Sequence, residues 1–161
     1  MAPLMLMIMV ACAALALSMN FAPRSSITID DNLIFKAAGA ITASAAVATI
    51  IDAGAGLFKG VMQIDVTALV INDNDEIYDI VIQGSSDSDF GTDTNIVDLA
   101  SITLAAAEVQ RTDSNKDSVI GRKMLYFSNE IDSGYLRYLR LYTVVAGTTP
   151  SINYTAAAGK L

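Results

Sequence analysis

The sequence predicts an all-β protein, a jelly-roll-like β-sandwich of about eight strands with an extended N-terminal arm. Two observations predict this class. Apolar and polar residues alternate over several short segments, and turns rich in Gly, Asp, Asn and Ser separate these segments. No segment has the apolar periodicity of a long amphipathic helix. The 161 residues are enough for a domain that buries its own core.

The most regular strand pattern covers residues 62–70. Its core-facing set consists of Met62, Ile64, Val66, Ala68 and Val70, and the residues between them face the other way. The turn at 72–75 follows, and then Tyr78, Ile80 and Ile82 continue the pattern in the next strand. We expect Met62, Ile64, Val66, Tyr78, Ile80 and Ile82 to be buried between two sheets.

The other strands are predicted from shorter runs of β-branched and aromatic residues. They cover residues 26–30, 47–52, 94–104, 122–128, 135–145 and 151–158. Residues 85–91 form a polar loop under which Phe90 is expected to pack. Residues 37–48 are rich in Ala but contain Gly39 and β-branched residues, which favours an extended arm over a helix.

The chain divides into an apolar N-terminal segment at 1–22, an arm at 23–46 and a β-sandwich domain at 47–161. The apolar run at 4–17 is shorter than the ~20 residues of a membrane span, so we expect no membrane in the mature form. Three interpretations stay open for it: a signal peptide, an apolar arm that packs on a neighbour, or a mis-assigned start before Met19.

Composition points to a covered surface and an acidic charge. Hydrophobic residues make up 53% of the chain, and the mean hydropathy of +0.46 is high for a soluble monomer. We therefore expect partner subunits or another protein to cover part of the surface. The net charge of −7 argues against nucleic acid as a partner. No basic residue lies between Lys59 and Arg111, so an acidic and a more basic surface are expected, either solvated or meeting between subunits.

Several kinds of chemistry are excluded or disfavoured. The chain has no His and one Cys, which excludes His-dependent nucleophilic triads, His-ligated zinc and intrachain disulfides. A glycosidase needs only two carboxylates, but no pattern pairs them here. The acidic turns at 73–76 and 87–89 offer calcium ligands without the EF-hand spacing, and Asp and Asn are common in ordinary turns. We expect no enzyme activity, no cofactor and no metal.

The residues most typical of a protein interface lie in the run 135–142. Tyr and Arg are enriched in contact patches. The candidate interface residues are Tyr135, Arg137, Tyr138, Arg140 and Tyr142. An ordinary strand with Tyr in the core explains the same run equally well.

Several stretches between residues 33 and 158 carry a family resemblance. They are 33–35, 40–45 and 50–54, then 80–87 with Phe90, then 135–141, and finally 145–152. In this order they resemble tailed-phage capsid cement (decoration) proteins, including the Bordetella phage cement-protein family. The resemblance implies a jelly-roll subunit, often trimeric, that binds the outer surface of the virion and staples major capsid proteins. It implies no catalytic residue, and the apolar segment before residue 19 departs from it.

The leading hypothesis is thus a homotrimeric capsid cement protein whose partner is the major capsid protein. The alternative is an exported carbohydrate-binding or adhesion β-sandwich module. A working signal peptide and an exposed aromatic platform would favour that alternative, whereas the absence of Trp weakens it.

Overall fold

The computed structural model describes residues 28–91, 96–110 and 116–161. These residues form eleven strands, a short helix α1 and a 3₁₀ turn at Asp31–Leu33. The strands are β1 (Ile34–Lys36), β2 (Ala40–Ile41), β3 (Ala45–Asp52), β4 (Lys59–Leu69), β5 (Ile77–Ser85), β6 (Val97–Ala105), β7 (Gly121–Ser128), β8 (Glu130–Ile131), β9 (Gly134–Tyr135), β10 (Tyr138–Ala146) and β11 (Ile152–Lys160); α1 covers Ala107–Gln110.

The strands make two antiparallel sheets. Sheet A has the order β1-β11-β4-β7, with β2 also paired to β11, and sheet B has the order β3-β10-β5-β6. If β1 and β2 count as one strand and the small β8–β9 hairpin is set aside, eight principal strands remain. Their order is 1-8-3-6 in one sheet and 2-7-4-5 in the other. Apart from the fourth and fifth, successive strands therefore alternate between the sheets in the manner of a jelly roll. The predicted fold class is confirmed.

The core lies between the inner faces of the two sheets. All six residues predicted to be buried are buried: Met62, Ile64, Val66, Tyr78, Ile80 and Ile82. The last strand contributes Ile152, Tyr154, Ala156 and Ala158 from sheet A, and β10 contributes Leu139 and Leu141 from sheet B. Phe90 is buried beneath its loop, as predicted.

The predicted core face of β4 is wrong at its end. Val66 pairs with Tyr154 and Ala68 with Asn153, so Thr67 is an extra residue in the ladder. Such a bulge reverses the alternation beyond it. Ala68 is consequently exposed, and Leu69 packs against the core instead. Val70, which was also assigned to the core face, lies after the end of the strand.

The strand predicted at 135–145 is two strands. Tyr135 belongs to the β8–β9 hairpin, and Leu136 and Arg137 separate it from β10. The backbone N–H of Leu136 donates to the Asn129 carbonyl, and Arg137 accepts through its carbonyl from the N–H of Ala53. These bonds fix the two residues outside the hydrogen-bonded ladders of both sheets. The alternation of inward and outward side chains is therefore interrupted there.

The segment predicted as an arm contributes strands to both sheets, although residues 28–30, the described part of the strand predicted at 26–30, lie outside any strand. Strands β1 and β2 pair with β11, and β3 begins at Ala45, so the boundary predicted at residue 47 falls inside a strand. The Lys36 ammonium anchors this segment by donating to the carbonyls of Ala37, Gly39 and Tyr154. The apolar segment at 1–22, with its three interpretations, lies outside the described residues.

Candidate interaction surface

The five predicted interface residues divide between two places. Tyr138, Arg140 and Tyr142 point outward from β10, because Leu139, Leu141 and Thr143 between them are buried. Strand β10 is central in sheet B, between β3 and β5. Tyr135 and Arg137 precede the strand and are exposed at its end. The structure therefore brings three of the residues onto one sheet face and leaves the other two at its margin.

Arg137 is held by its own chain. Its Nε and Nη2 lie 2.9 Å and 2.6 Å from the two carboxylate oxygens of Asp52, and its guanidinium lies 5.2 Å from the centre of the Tyr138 ring. Hydrogen bonding by this guanidinium lowers the pKa of Asp52 to about 2, helped by the backbone N–H of Gly54. Because both side chains are about half exposed, solvent screens the pair, and its main effect is to fix the direction of Arg137.

Arg140 is also engaged within the chain. Its guanidinium lies 4.2 Å from the centre of the Phe90 ring, and its Nε donates to Gln83 Oε1 at 3.0 Å. Gln83 in turn donates to Asp98 on the edge strand β6. Burial lowers the pKa of Arg140. The centre of this face is thus a preformed polar network that ties the 85–91 loop to the sheet.

A second surface, which sequence reasoning missed, lies on the outer face of sheet A. We call it the sheet A apolar surface; its exposed members are Ile34, Met124, Tyr126 and Leu161. Alternation places them on one face, because Phe35, Phe127 and Ala158 point into the core. Tyr126 is 63% exposed and Ile34 46% exposed, which is unusual for side chains of this size when several lie on one face.

Register places strands β4 and β11 beside these residues. Tyr126 pairs with Val61, which is buried, and Met124 pairs with Gln63 across β4. Strand β11, on the other side of β4, turns Asn153, Thr155, Ala157 and Gly159 outward. At one end Arg122 forms an ion pair with Asp65 at 2.9 Å. An apolar centre with a polar margin is the usual composition of a protein–protein contact.

The sequence does carry a signal for this surface. Strand β7 contains a continuous apolar run, Met124, Leu125, Tyr126 and Phe127. A strand that faced solvent on one side would alternate with polar residues there. The run therefore predicts a strand with two apolar faces, one of which needs a partner.

A third feature is the acidic turn, residues 72–76, between β4 and β5. One carboxylate oxygen from each of Asp73, Asp75 and Glu76 lies within 4.8 Å of the other two. The other acidic segment considered from sequence, 87–89, behaves as an ordinary turn, since Asp89 accepts from the backbone N–H of Gly91 and Asp87 donates through its N–H to Ser85.

Neither a protein-family model nor a curated protein matches this sequence. In the part of the chain that the structure describes, no helix has the length and apolar character needed to cross a membrane.

Proposed function

We propose that this protein is a capsid cement protein that binds the outer surface of a virus shell and reinforces contacts between major capsid proteins. The observation that carries the proposal is the sheet A apolar surface. Keeping four large apolar side chains of one sheet face in water costs free energy, and the free energy falls when a partner covers them.

The fold narrows the classes of function without selecting one. Jelly rolls occur in viral capsid proteins and in lectin domains, and a fold by itself does not determine function. The sequence resemblance between residues 33 and 158 supports the capsid class over the lectin class. In this proposal the protein acts through binding, on the virion exterior, as a homotrimer and without a cofactor.

A modest contact surface on each bound protein is enough for a large effect on the stability of a shell. A typical specific interface covers about 800 Å² on each partner. A bound protein stabilises the state to which it binds by mass action. Because many identical copies bind one shell, even a weak individual contact resists opening of the whole structure.

Co-sedimentation tests the proposal. Shells assembled from the major capsid protein of the same genome are mixed with purified wild-type protein and with the double variant Met124→Ser/Tyr126→Ser. Loss of two central apolar contacts is expected to weaken binding by at least about thirtyfold, the equivalent of about 2 kcal/mol. The control is Val109→Ser, which removes an exposed apolar side chain in α1 and should leave binding unchanged.

Light scattering on the same preparations measures self-association. A monomer at micromolar concentration that does not sediment with shells contradicts the proposal. Equal binding by the wild type and the double variant would instead show that the protein does not bind shells through the sheet A apolar surface.

The alternative, a carbohydrate-binding or adhesion module, is favoured by one observation. Tyr126 and Tyr135 expose their rings to solvent, and exposed aromatic rings are suitable for stacking on sugars. A glycan array separates the two proposals. Saturable glycan binding that is lost in Tyr126→Ser, with no binding to shells, would establish the alternative.

A further inference from the structure

We propose that the acidic turn is a calcium-binding site formed by Asp73, Asp75 and Glu76. Sequence alone favours an ordinary turn here, and a group of acidic residues does not by itself make a site. The structure adds an independent observation at Glu76, which distinguishes this turn from the others.

Glu76 is a buried carboxylate with an unused oxygen. The residue is 0% exposed. Its Oε1 accepts from the backbone N–H groups of Asn72 and Asp73, both at 3.0 Å. Its Oε2 is buried and has no hydrogen-bond partner among the described residues. An unpartnered buried oxygen of this kind is costly, and a bound cation would supply the missing partner.

Among the residues that the structure describes, no ion pair involves the carboxylates of the acidic turn. Those seen there join Arg122 to Asp65 and Arg137 to Asp52. Sequence explains the lack of a local partner, since the nearest basic residue before the turn is Lys59 and the next after it is Arg111.

The geometry suits Ca²⁺. Calcium binds oxygen at 2.3–2.6 Å, so two of its ligands can be up to about 5 Å apart. The three carboxylate oxygens lie within 4.8 Å of one another. Asn72 and Asn74 supply further side-chain oxygens in the same turn. Mg²⁺ requires a smaller, near-octahedral set of ligands and gives up its water reluctantly.

A neighbouring loop holds the turn in shape. Thr148 donates to both oxygens of Asp75, through its N–H at 3.0 Å and its hydroxyl at 2.7 Å. The Thr149 hydroxyl donates to Asp73 Oδ2 at 2.7 Å. Each carboxylate oxygen has a second lone-pair direction for a cation, so these bonds orient the ligands without using up their capacity.

The test is calorimetric titration with CaCl₂ of full-length protein that has been dialysed against a chelator, with MgCl₂ as the comparison. One Ca²⁺ per chain is expected, in the millimolar to sub-millimolar range typical of extracellular modules. The melting temperature should rise with Ca²⁺ concentration, and Mg²⁺ should bind at least tenfold more weakly.

Glu76→Gln removes the charge while keeping the oxygen that accepts from the backbone, and it should weaken Ca²⁺ binding at least tenfold. Asp73→Asn, at an exposed position, should also weaken Ca²⁺ binding. It replaces Glu76→Gln as the test if that variant does not fold. The control Asp98→Asn removes one exposed negative charge elsewhere and should bind as the wild type does. No saturable binding by the wild type up to about 10 mM, beyond the weakest class of calcium site, overturns the proposal, as does wild-type affinity in both turn variants.

Discussion

Asn129 is predicted to be among the most sensitive single positions in the molecule. It follows β7, it is completely buried, and its amide joins three loop segments. Its Oδ1 accepts from the N–H of Phe58 at 2.7 Å. Its Nδ2 donates to the carbonyls of Gly56 and Leu136, both at 2.9 Å. We expect Asn129→Ala to destabilise the fold without changing any residue of the hydrophobic core.

The magnitude follows from the groups left behind. The substitution leaves the N–H of Phe58 and the carbonyl of Leu136 without partners in a buried place, and each such group costs about 1–3 kcal/mol. The Gly56 carbonyl lies in an exposed turn and can turn to water, so it adds little. Entry of water into the space of the lost amide offsets part of the cost. The expected loss is about 3 kcal/mol, a large share of the 5–15 kcal/mol typical of a domain.

Urea unfolding followed by far-ultraviolet circular dichroism measures this loss, with the slope m compared to confirm that both proteins unfold alike. Asn153→Ala is the matched control. Its Oδ1 also accepts from a backbone N–H, that of Gly39 at 2.9 Å, but the bond is exposed, so the expected loss is under about 1 kcal/mol. If the two alanine variants lost equal free energy of unfolding, the argument from buried partners would be refuted.

Two further predictions concern backbone strain and pH. Gly147 has φ of +115°, and a Cβ there would come within 2.8 Å of a backbone atom of the acidic turn, so Gly147→Ala should lower the free energy of unfolding by about 2 kcal/mol or more. The control is Gly134→Ala, with φ of +138° but open space around the Cβ, and it should lower that free energy less. Equal melting temperatures for the two variants would contradict this reasoning. Burial raises the pKa of Tyr154 to about 12, although its hydrogen bond with Thr143 partly opposes the shift. The folded state therefore favours the neutral phenol, which contributes about 2–3 kcal/mol of stability. This contribution is fully present below pH ~10 and should be lost as the pH rises toward 12. Unfolding curves at several pH values would show the loss, and the loss should be smaller in Tyr154→Phe.

The fold could be predicted from sequence because its strands follow one local rule. Met62 to Val66 and Ile152 to Ala158 alternate cleanly, since one side of each strand faces the core. The rule fails where tertiary contacts change the register. The bulge at Thr67 and the break at Leu136 depend on partners in β11 and on Asn129, which no local pattern reveals.

The candidate surfaces were less predictable. Composition singles out the Tyr and Arg residues near β10, and in the structure Arg137 and Arg140 bind groups of their own chain. Their role in contacts with other molecules stays a prediction. The exposure of Tyr126 and the burial of Glu76 are properties of packing, and sequence gives the residue types without saying which side of a sheet or turn each will occupy.

The central place of β11 affects how the chain is made. It is the final described strand in chain order, yet it pairs with β1, β2 and β4 and so separates the first strands from the rest of sheet A. During synthesis the earlier strands leave the ribosome with a gap that only residues 152–160 can fill. Their apolar inner faces stay uncovered until this segment has been made, so folding of sheet A is expected to be slow. Deletion of residues 152–160 would remove an inner strand of the sheet, whereas deletion of an edge strand would leave the rest of the sheet joined.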